Sequence, residues 1–155
     1  MGKVKINANL QLGPVKIKVR NESNNPLPKY ETLGSAGMDV ASSQDLILHP
    51  GFVVAVPTGL YFEIPDGYEI QVRSRSGLAY KSGVFVINSP GTIDSDYRGE
   101  IKVLLTSVSS EPFEIKEGDR IGQIVLQPVT RIQFEEAEEL EETERGDGGF
   151  GSTGV

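Results

Sequence analysis

Short runs of β-branched and aromatic residues, separated by glycine and proline, dominate this amino-acid sequence. In IPDGYEIQV, apolar and polar residues alternate from Tyr68 onward, as they do in a strand with one buried face. No long window repeats its apolar residues every 3.6 positions, so the sequence predicts very little helix. The predicted strands are VKIKV (15–19), FVVAV (52–56), LYFEI (60–64), YEIQV (68–72), VFVI (84–87), EIKVLL (100–105), FEI (113–115), IGQIVLQPV (121–129) and RIQF (131–134).

Many short strands at regular spacing are typical of an all-β sandwich or barrel. We therefore predict an all-β fold, a jelly roll or distorted β-barrel, with residues 1–134 as a single domain. One short helical turn is expected in SGLAYKSG (76–83), and the first dozen residues are expected to form a loose or edge segment. Residues 135–155 are predicted to be an acidic connector and a flexible glycine-rich C-terminal arm of the same domain.

The composition narrows the possible chemistry. The chain has no cysteine, which excludes a disulfide framework, a thiolate nucleophile and cysteine-ligated zinc. Its only histidine, His49, precedes a proline and is expected to be a turn residue. A single histidine leaves little room for a histidine-rich metal site or a Ser-His-Asp triad.

The negative charge of the chain is concentrated in one segment. The formal net charge is −7, and EEAEELEETE (135–144) alone holds seven glutamates and no basic residue. The rest of the chain is therefore near neutral, which predicts no nucleic-acid-binding surface but allows a small anionic ligand. We expect the glutamate-rich segment to be an exposed connector.

The sequence shows no targeting or membrane signal. MGKVKINANLQLG lacks the apolar stretch of a signal peptide, and no apolar run approaches the roughly 20 residues that span a membrane. A cytoplasmic location without membrane attachment is expected, and the nucleus or a host-cell compartment is also compatible.

Two stretches contain small residues around a few charged ones. In LGSAGMDVASS (33–43), Asp39 fits either a tight turn or a carboxylate that supports a hydrated metal. In QVRSRSGLAYKSG (71–83), Arg75, Ser76 and the backbone of Gly77 begin the expected helical turn. Guanidinium, hydroxyl and amide groups at a helix start suit a phosphate, although a capped surface turn fits the same residues.

A third stretch, VFVINSPGTIDSDYRGEIKV (84–103), has two predicted strands around a long turn region. A β-hairpin needs only two to five turn residues, so the extra length suggests that this one surrounds a ligand. Asn88 could pair with a base edge, Tyr97 could pack under a sugar, and Asp94 could act as a general base on water. Side chains that only satisfy the turn backbone are the alternative.

The fourth stretch is RGDGGFGSTG (145–154), in which half of the residues are glycine. Ordering ten such residues costs on the order of 10–20 kcal/mol in backbone entropy, so the free segment is predicted to be disordered. A polyphosphate nucleotide could offset this cost through Arg145, Ser152 and Thr153, with a base stacked on Phe150 for about 1–3 kcal/mol. We discard an adhesion role for the RGD tripeptide.

These four stretches and GDRIGQIVLQPV (118–129) resemble the five ordered motifs of the trimeric dUTP pyrophosphatase (dUTPase) family. SAGMD resembles the first motif, RSGLA the second, GTIDSDYRGE the third, GDRIGQIV the fourth and RGDGGFGSTG the fifth. The resemblance spans residues 35–154. It implies a homotrimeric jelly roll with active sites at the subunit interfaces. It also implies Mg²⁺-dependent hydrolysis of dUTP to dUMP and pyrophosphate, which keeps uracil out of DNA and supplies dUMP for thymidylate synthesis.

The resemblance also implies roles for individual residues. Asp94 matches the base that activates the attacking water, and Asn88 with the backbone after it matches the loop that reads uracil. Tyr97 matches the ring packed against deoxyribose. Asp39 matches the acid that orients waters on a Mg²⁺ ion held mainly by the three phosphates. The other implied substrate contacts are Arg75, Ser76, Gly77, Gly91, Thr92, Ile93, Lys102, Gln123, Arg145, Phe150, Gly151, Ser152 and Thr153.

The sequence departs from the family pattern at two positions. Val40 stands where leucine is usual, and Ser74 stands where proline is common, which is expected to loosen the approach to the phosphate turn. Two other functions stay open: a dCTP deaminase-type relative and a non-catalytic nucleotide-binding or signalling module. The hairpin and the glycine-rich arm favour dUTPase, and the presence of Asp94 favours catalysis.

Overall fold

The structure, a computed structural model, describes residues 13–150. Within this range eleven short strands and one helix are present, and eight of the nine predicted strands appear with bounds displaced by at most three residues. The expectation for the first dozen residues lies outside the described residues. The strands are β1 (Lys18–Asn21), β2 (Met38–Ala41), β3 (Leu46–Leu48), β4 (Val54–Pro57), β5 (Leu60–Glu63), β6 (Tyr68–Arg73), β7 (Val84–Val86), β8 (Gly91–Ile93), β9 (Lys102–Ser107), β10 (Phe113–Ile115) and β11 (Arg120–Pro128).

All of the strand pairs are antiparallel and form small sheets. The largest sheet has the order β2-β11-β6-β8, and a second has the order β4-β9-β7. Two further pairs, β1-β5 and β10-β3, complete the described strands. This arrangement confirms the predicted all-β fold. The four-stranded sheet matters most for function because strands that are distant in sequence become neighbours in it.

The core is formed by apolar side chains from all four sheets. Ile101, Leu105, Ile115 and Ile121 are almost completely buried. Burying one such side chain stabilises the fold by about 1.5–3 kcal/mol relative to leaving it exposed. The buried hydroxyl of Thr58 donates to the Ile101 carbonyl at 2.7 Å, so its polar atom is satisfied inside this core.

The single helix of the described range, α1 (Ser76–Ser82), confirms the predicted helical turn. It ends at Gly83, which has a left-handed backbone (φ 65°) and donates its N–H to the Ala79 carbonyl. Glycine adopts this conformation without the steric cost of a Cβ, which explains why the helix stops there. Between residues 13 and 150, no helix is long and apolar enough to cross a membrane.

The long turn region between β7 and β9 contains an additional strand. β7 and β9 pair with each other, as the predicted hairpin requires. Between β7 and β9 the chain crosses to the four-stranded sheet. There β8 pairs with β6, and Gly91 lies opposite Val72. The proposed base-reading residue Asn88 therefore precedes β8, and Asp94 follows it directly.

One predicted strand is wrong, and three strands were not predicted. Residues 131–134 form no strand, and Ile132 and Phe134 are 78% and 89% exposed. Their alternating pattern would suit a strand, but in the described chain no neighbouring strand pairs with them. β2, β3 and β8 were missed because each is only three or four residues long and is flanked by small or turn-forming residues.

Candidate active site

The four-stranded sheet carries residues of four motif stretches side by side. Asp39 on β2 lies directly opposite Gln123 on β11, which in turn lies opposite Arg73 on β6. One step along, Val72 of β6 lies opposite Gly91 of β8. Directly opposite residues of antiparallel strands project to the same face, so Asp39, Gln123 and Arg73 share one face of the sheet.

A bulge in β11 adds a second arginine to this face. The pairing register shifts between Arg120 and Gly122, and Arg120 lies opposite Ala41. In a regular strand Ile121 would lie opposite Ala41, and because side chains alternate the Arg120 side chain would point to the opposite face. The bulge places Arg120 on the face of Asp39 while Ile121 stays buried.

Asp39 holds two arginines together. Its Oδ2 atom lies 3.1 Å from Nε of Arg75 and 3.2 Å from Nη1 of Arg120. Nη1 of Arg75 also donates to the Arg120 carbonyl at 2.9 Å. These charge-assisted contacts fix the orientation of Arg75, and two guanidiniums against one carboxylate leave one net positive charge. Arg120 was not among the predicted site residues, because a bulge cannot be read from the letter pattern of GDRIGQ.

Gln123 connects β11 to the segment before α1. Its Nε2 atom donates to the Ser74 carbonyl at 3.0 Å. A Cβ at Gly37 would lie 2.7 Å from Oε1 of Gln123, so glycine at that position leaves space for the Gln123 side chain. The amide group of Gln123 is therefore held beside the phosphate turn predicted from RSGLA.

The start of α1 presents backbone amides to solvent. Arg75 is the N-cap residue with an extended backbone, and no side chain of the described range caps the helix. The first helical bond runs from the Ala79 N–H to the Arg75 carbonyl, and Ser76 and Gly77 are exposed. Amides at a helix start and a fixed guanidinium form an arrangement that can accept an anion.

The segment around β8 places Asn88 against a buried glycine. A Cβ at Gly91 would lie 3.1 Å from Nδ2 of Asn88, so the absence of a side chain makes room for that amide. Thr92 is exposed and lies opposite Gln71. Ile93 packs against the core, which leaves its backbone rather than its side chain for a ligand.

Tyr97 folds back over the chain that follows it. Its hydroxyl donates to the Glu100 carbonyl at 3.1 Å, and a Cβ at Gly99 would overlap its ring. The Tyr97 N–H donates to the Asp94 carbonyl at 3.2 Å and closes the turn between them. Lys102 lies 3.7 Å from Glu100, so it borders the same turn. Gly99 thus leaves room for the Tyr97 ring over the chain between Tyr97 and Glu100.

The Asp94 carboxylate is exposed and borders a cavity of about 430 Å³. Asp66, Glu69 and Asp96 also line this cavity, together with Arg131, which lies 3.6 Å from Asp66. An acidic wall repels a triphosphate, so the cavity suits water next to Asp94 better than it suits the phosphate chain.

The C-terminal residues of the described chain do not join the sheet. Residues 135–144 are exposed and contain no helix or strand, as predicted for a connector. Arg145 donates from Nε to the Gly148 carbonyl at 2.8 Å, a contact within the arm itself. Phe150 is fully exposed. The predicted contacts Gly151, Ser152 and Thr153 lie outside the described residues.

Comparison with known proteins agrees with this geometry. The model of the dUTPase family matches residues 23–154. The chain belongs to the dUTPase family. The deoxyuridine 5'-triphosphate nucleotidohydrolase of Finegoldia magna is 54% identical over 142 residues, which cover 90% of this chain and 99% of the relative. That of Zymomonas mobilis is 56% identical over 133 residues, covering 86% of this chain and 91% of the relative.

A solved dUTPase has the same fold. The Staphylococcus bacteriophage 80alpha dUTPase, solved with dUPNHPP, is 26% identical, with a TM-score of 0.81 over 90% of this chain and 99% of the phage protein. This likeness confirms the jelly roll.

In our dUTPase-family chain, Asp39, Arg75 and Gln123 lie together, and the start of β8, which follows Asn88, pairs with β6 next to Arg73. Asp94 follows the other end of β8 and borders a separate cavity with Glu69 and Asp66. Arg145 and Phe150 join neither group, and the roles of all these residues stay predictions.

Proposed function

We propose that this protein hydrolyses dUTP to dUMP and pyrophosphate. The observation that carries the proposal is that four motif stretches of a dUTPase-family chain meet on one four-stranded sheet, with the fixed guanidinium of Arg75 after β6 and a prospective base, Asp94, after β8. The dUPNHPP bound by the phage relative is a dUTP analogue, which supports the same substrate class here.

The phosphate chain would bind beside Arg75. Asp39 already orients this arginine, so little reorganisation is needed when an anion arrives. The amides of Ser76 and Gly77 and the side chain of Gln123 would donate further hydrogen bonds. Preorganised donors of this kind stabilise the charge that develops on pyrophosphate as it leaves.

The residues present fit a Mg²⁺ ion that is held mainly by the substrate. Among the described residues, no three acidic or histidine side chains are grouped to hold a metal, and Asp39 is shared by two arginines. This donor set suits an ion with phosphate and water ligands, with Asp39 bonded to its waters. When bound, Mg²⁺ would neutralise phosphate charge and fix one triphosphate geometry.

Asp94 would be the general base. A water aligned on the α-phosphorus would transfer a proton to the Asp94 carboxylate while its oxygen forms the new bond to phosphorus. The bond between the α-phosphorus and the bridging oxygen breaks, and pyrophosphate leaves. The exposure of Asp94 beside an open cavity supports this role, because the base has access to water.

Selectivity would arise in the segment around β8. The Asn88 amide and the backbone at Gly91, Thr92 and Ile93 would pair with the edge of uracil and leave no space for the C5 methyl of thymine. Tyr97 would pack against deoxyribose, where a 2′-hydroxyl would overlap its ring. One missing methyl group changes the binding free energy by ~1–3 kcal/mol, and the steric penalty for an added group in a close-fitting site can be larger.

The homotrimer is part of the same proposal. Arg145 and Phe150 lie away from the sheet of their own chain, and Ile132, Phe134 and Leu140 are exposed apolar side chains on the segment between β11 and the arm. Grouped exposed apolar residues often mark protein contacts. Residues 135–155 would thus close over a site on another subunit, with Lys102, Gly151, Ser152 and Thr153 completing the substrate contacts. A cytoplasmic location stays a prediction.

The test is product analysis with the purified protein, Mg²⁺ and either dUTP or dCTP. We expect pyrophosphate and dUMP from dUTP and no ammonia from dCTP. Ammonia release would indicate a deaminase, and tight dUTP binding without pyrophosphate would indicate a signalling module. Light scattering should give three times the chain mass of 16.8 kDa.

A further inference from the structure

A cavity of about 300 Å³ beside the β1-β5 pair, the cationic cavity, is rich in positive charge. The cationic side chains that line it are Lys18, Arg20 and Arg98. Among the described residues, Glu63 is the one carboxylate in its lining. Lys18 and Arg20 are two positions apart on β1, so they project to the same face of the strand. The cavity can therefore offer several cations to one ligand.

The two arginines of the cationic cavity are oriented, and their charge is only partly neutralised. Arg20 lies 4.2 Å over the Tyr61 ring, and its Nε is 3.1 Å from Glu22. Nη1 of Arg98 donates to two backbone carbonyls, at 2.7 and 3.0 Å, and no carboxylate of residues 13–150 lies within ion-pair distance of it. Glu22 and Glu63 thus balance two of the three cations and leave one net positive charge.

The glutamate-rich connector (135–144) has the opposite charge and lacks a partner in its own described chain. It holds seven glutamates and no basic residue, and all of its residues are exposed. Between residues 13 and 150, none of these glutamates forms an ion pair. Like charges at this density repel one another and keep such a segment available to a cationic surface.

We propose that the connector of one subunit binds the cationic cavity of a neighbouring subunit. The proposal rests on the homotrimer that the proposed function includes. One exposed ion pair contributes little, but seven carboxylates facing three cations can form a network. In a trimer the connector is tethered near the next copy, which raises its effective concentration at the cavity. The contact uses side chains, so the backbone amides of the connector stay open to solvent. Docking would leave residues 145–155 for the nucleotide to order.

Carbodiimide coupling tests this contact, because it joins a lysine amine to a carboxylate that touches it. The reagent activates the carboxylate, and the amine displaces a urea to form an amide. After trypsin digestion, mass spectrometry would identify a link between Lys18 and the peptide 132–145. Lys18 also lies 2.9 Å from Glu63, so the coupling is repeated in Glu63→Gln, where this competing link cannot form. The matched control lysine is Lys116, which is exposed and already lies within 3.7 Å of two carboxylates of its own chain.

Two variants show which copy supplies the connector. Lys18→Arg keeps the charge but has no amine to couple. The second variant has Glu→Gln at positions 135, 136, 138, 139, 141, 142 and 144 and has no connector carboxylate to couple. Neither variant alone should form the link. Trimers made by co-expressing the two should form it, because the amine and the carboxylates then lie on different copies.

We expect the Lys18 link in the wild-type protein at low salt and a higher yield in Glu63→Gln. At about 0.5 M salt the yield should fall about fivefold, because screening then acts over a few ångströms. Arg20→Ala should lower the yield about two- to fivefold, since it removes one cation of the network. Lys116 should form no link to the connector in any of these proteins.

Pyrophosphate release and light scattering are measured first on the full-length wild-type protein. A trimer that forms the link but releases no pyrophosphate would overturn the proposed function and leave the docking in place. A trimer without the Lys18 link at low salt would overturn the docking. So would a link that forms in the wild type but not in the co-expressed pair, because it would then join groups of one copy. Equal coupling of Lys116 to the connector, or a monomeric wild-type protein, would contradict it as well.

Discussion

The four-stranded sheet and the C-terminal arm supply different parts of one proposed site, and they are built in opposite ways. On the sheet, Asp39 pairs with two arginines and Gln123 bonds to the neighbouring segment. In the arm, Arg145 bonds only to the nearby Gly148 carbonyl among the described contacts, and Phe150 is fully exposed. The charges proposed to meet the phosphates are therefore oriented by the fold itself, whereas the groups proposed to cover the base are not.

Because of this difference, the entropic cost of ordering falls at different stages in the two regions. The sheet residues are fixed during folding, so binding needs little further ordering. Each arm residue costs about 1–2 kcal/mol of backbone entropy when it becomes fixed, and glycine costs more. We therefore expect the arm to close only when a nucleotide supplies stacking and charge-assisted bonds. Changes in the sheet should affect both nucleotide binding and stability, whereas changes in the arm should affect turnover and nucleotide binding but not stability.

The largest effect is expected for Asp94→Asn. This change keeps the shape of the side chain but removes the base, so turnover of dUTP should fall at least about a hundredfold. Binding of the imido analogue should persist, because Asp94 is not one of the groups that hold the phosphates. Steady-state kinetics and calorimetry measure the two effects. Near-normal turnover would rule out Asp94 as the base.

Deletion of residues 145–155 should produce the next largest effect. The melting temperature and the trimer should be unchanged, because the described arm residues make no contact with the core. Turnover should be largely abolished, since the lost base stacking alone contributes about 1–3 kcal/mol. Thermal denaturation, light scattering and the pyrophosphate assay check these points. A truncated protein with full activity would remove the arm from the mechanism.

A smaller effect is expected for Asp39→Asn in the sheet. The change breaks both ion pairs and leaves two guanidiniums close together, so analogue affinity should fall about tenfold. Unlike the arm deletion, it should also lower the free energy of unfolding, by about 1 kcal/mol. Urea denaturation of Asp39→Asn and of the arm deletion would compare their free energies of unfolding. If Asp39→Asn and the arm deletion had equal free energies of unfolding, the idea that the ion pairs of Asp39 are already formed in the free protein would be wrong.

The smallest effect is expected at a surface ion pair that belongs to neither region. Lys18 lies 2.9 Å from Glu63 and, through this hydrogen bond, lowers the pKa of that carboxyl. A lowered folded-state pKa adds stability above the unfolded value, and this stability is lost as the pH falls through the folded value. Glu63→Gln should therefore be slightly less stable than wild type at pH 6 and equal to it in strong acid. Melting curves would show this, with dUTP turnover unchanged.

The sequence was sufficient where local patterns determine local structure. Alternation from Tyr68 onward predicted β6, and SGLAYKSG (76–83) predicted the single helical turn that forms α1. The motif resemblance also selected Asp39 and Gln123, which the sheet brings together. These two residues are distant in the sequence, and they come together because β2 and β11 pair as antiparallel strands.

Other features depend on contacts that no local pattern contains. The ion pair of Arg120 with Asp39 requires a bulge in β11, and the hydrogen bond from the Val86 N–H to the Ser74 hydroxyl requires the close approach of β7. The alternating residues Ile132 and Phe134 suggested a strand because their pattern matches one buried face. Whether such a segment pairs depends on a neighbouring strand, and within the described chain none pairs with it.

The central claim is that the nucleotide orders the arm over a sheet that is already ordered. Hydrogen exchange with and without deoxyuridine α,β-imidotriphosphate and Mg²⁺ tests it most directly. Peptides covering β6 and β11 should be protected in both states, and peptides from residues 135–150 should gain protection only with the nucleotide. Protection of the arm in the free protein, or none in the complex, would contradict the claim.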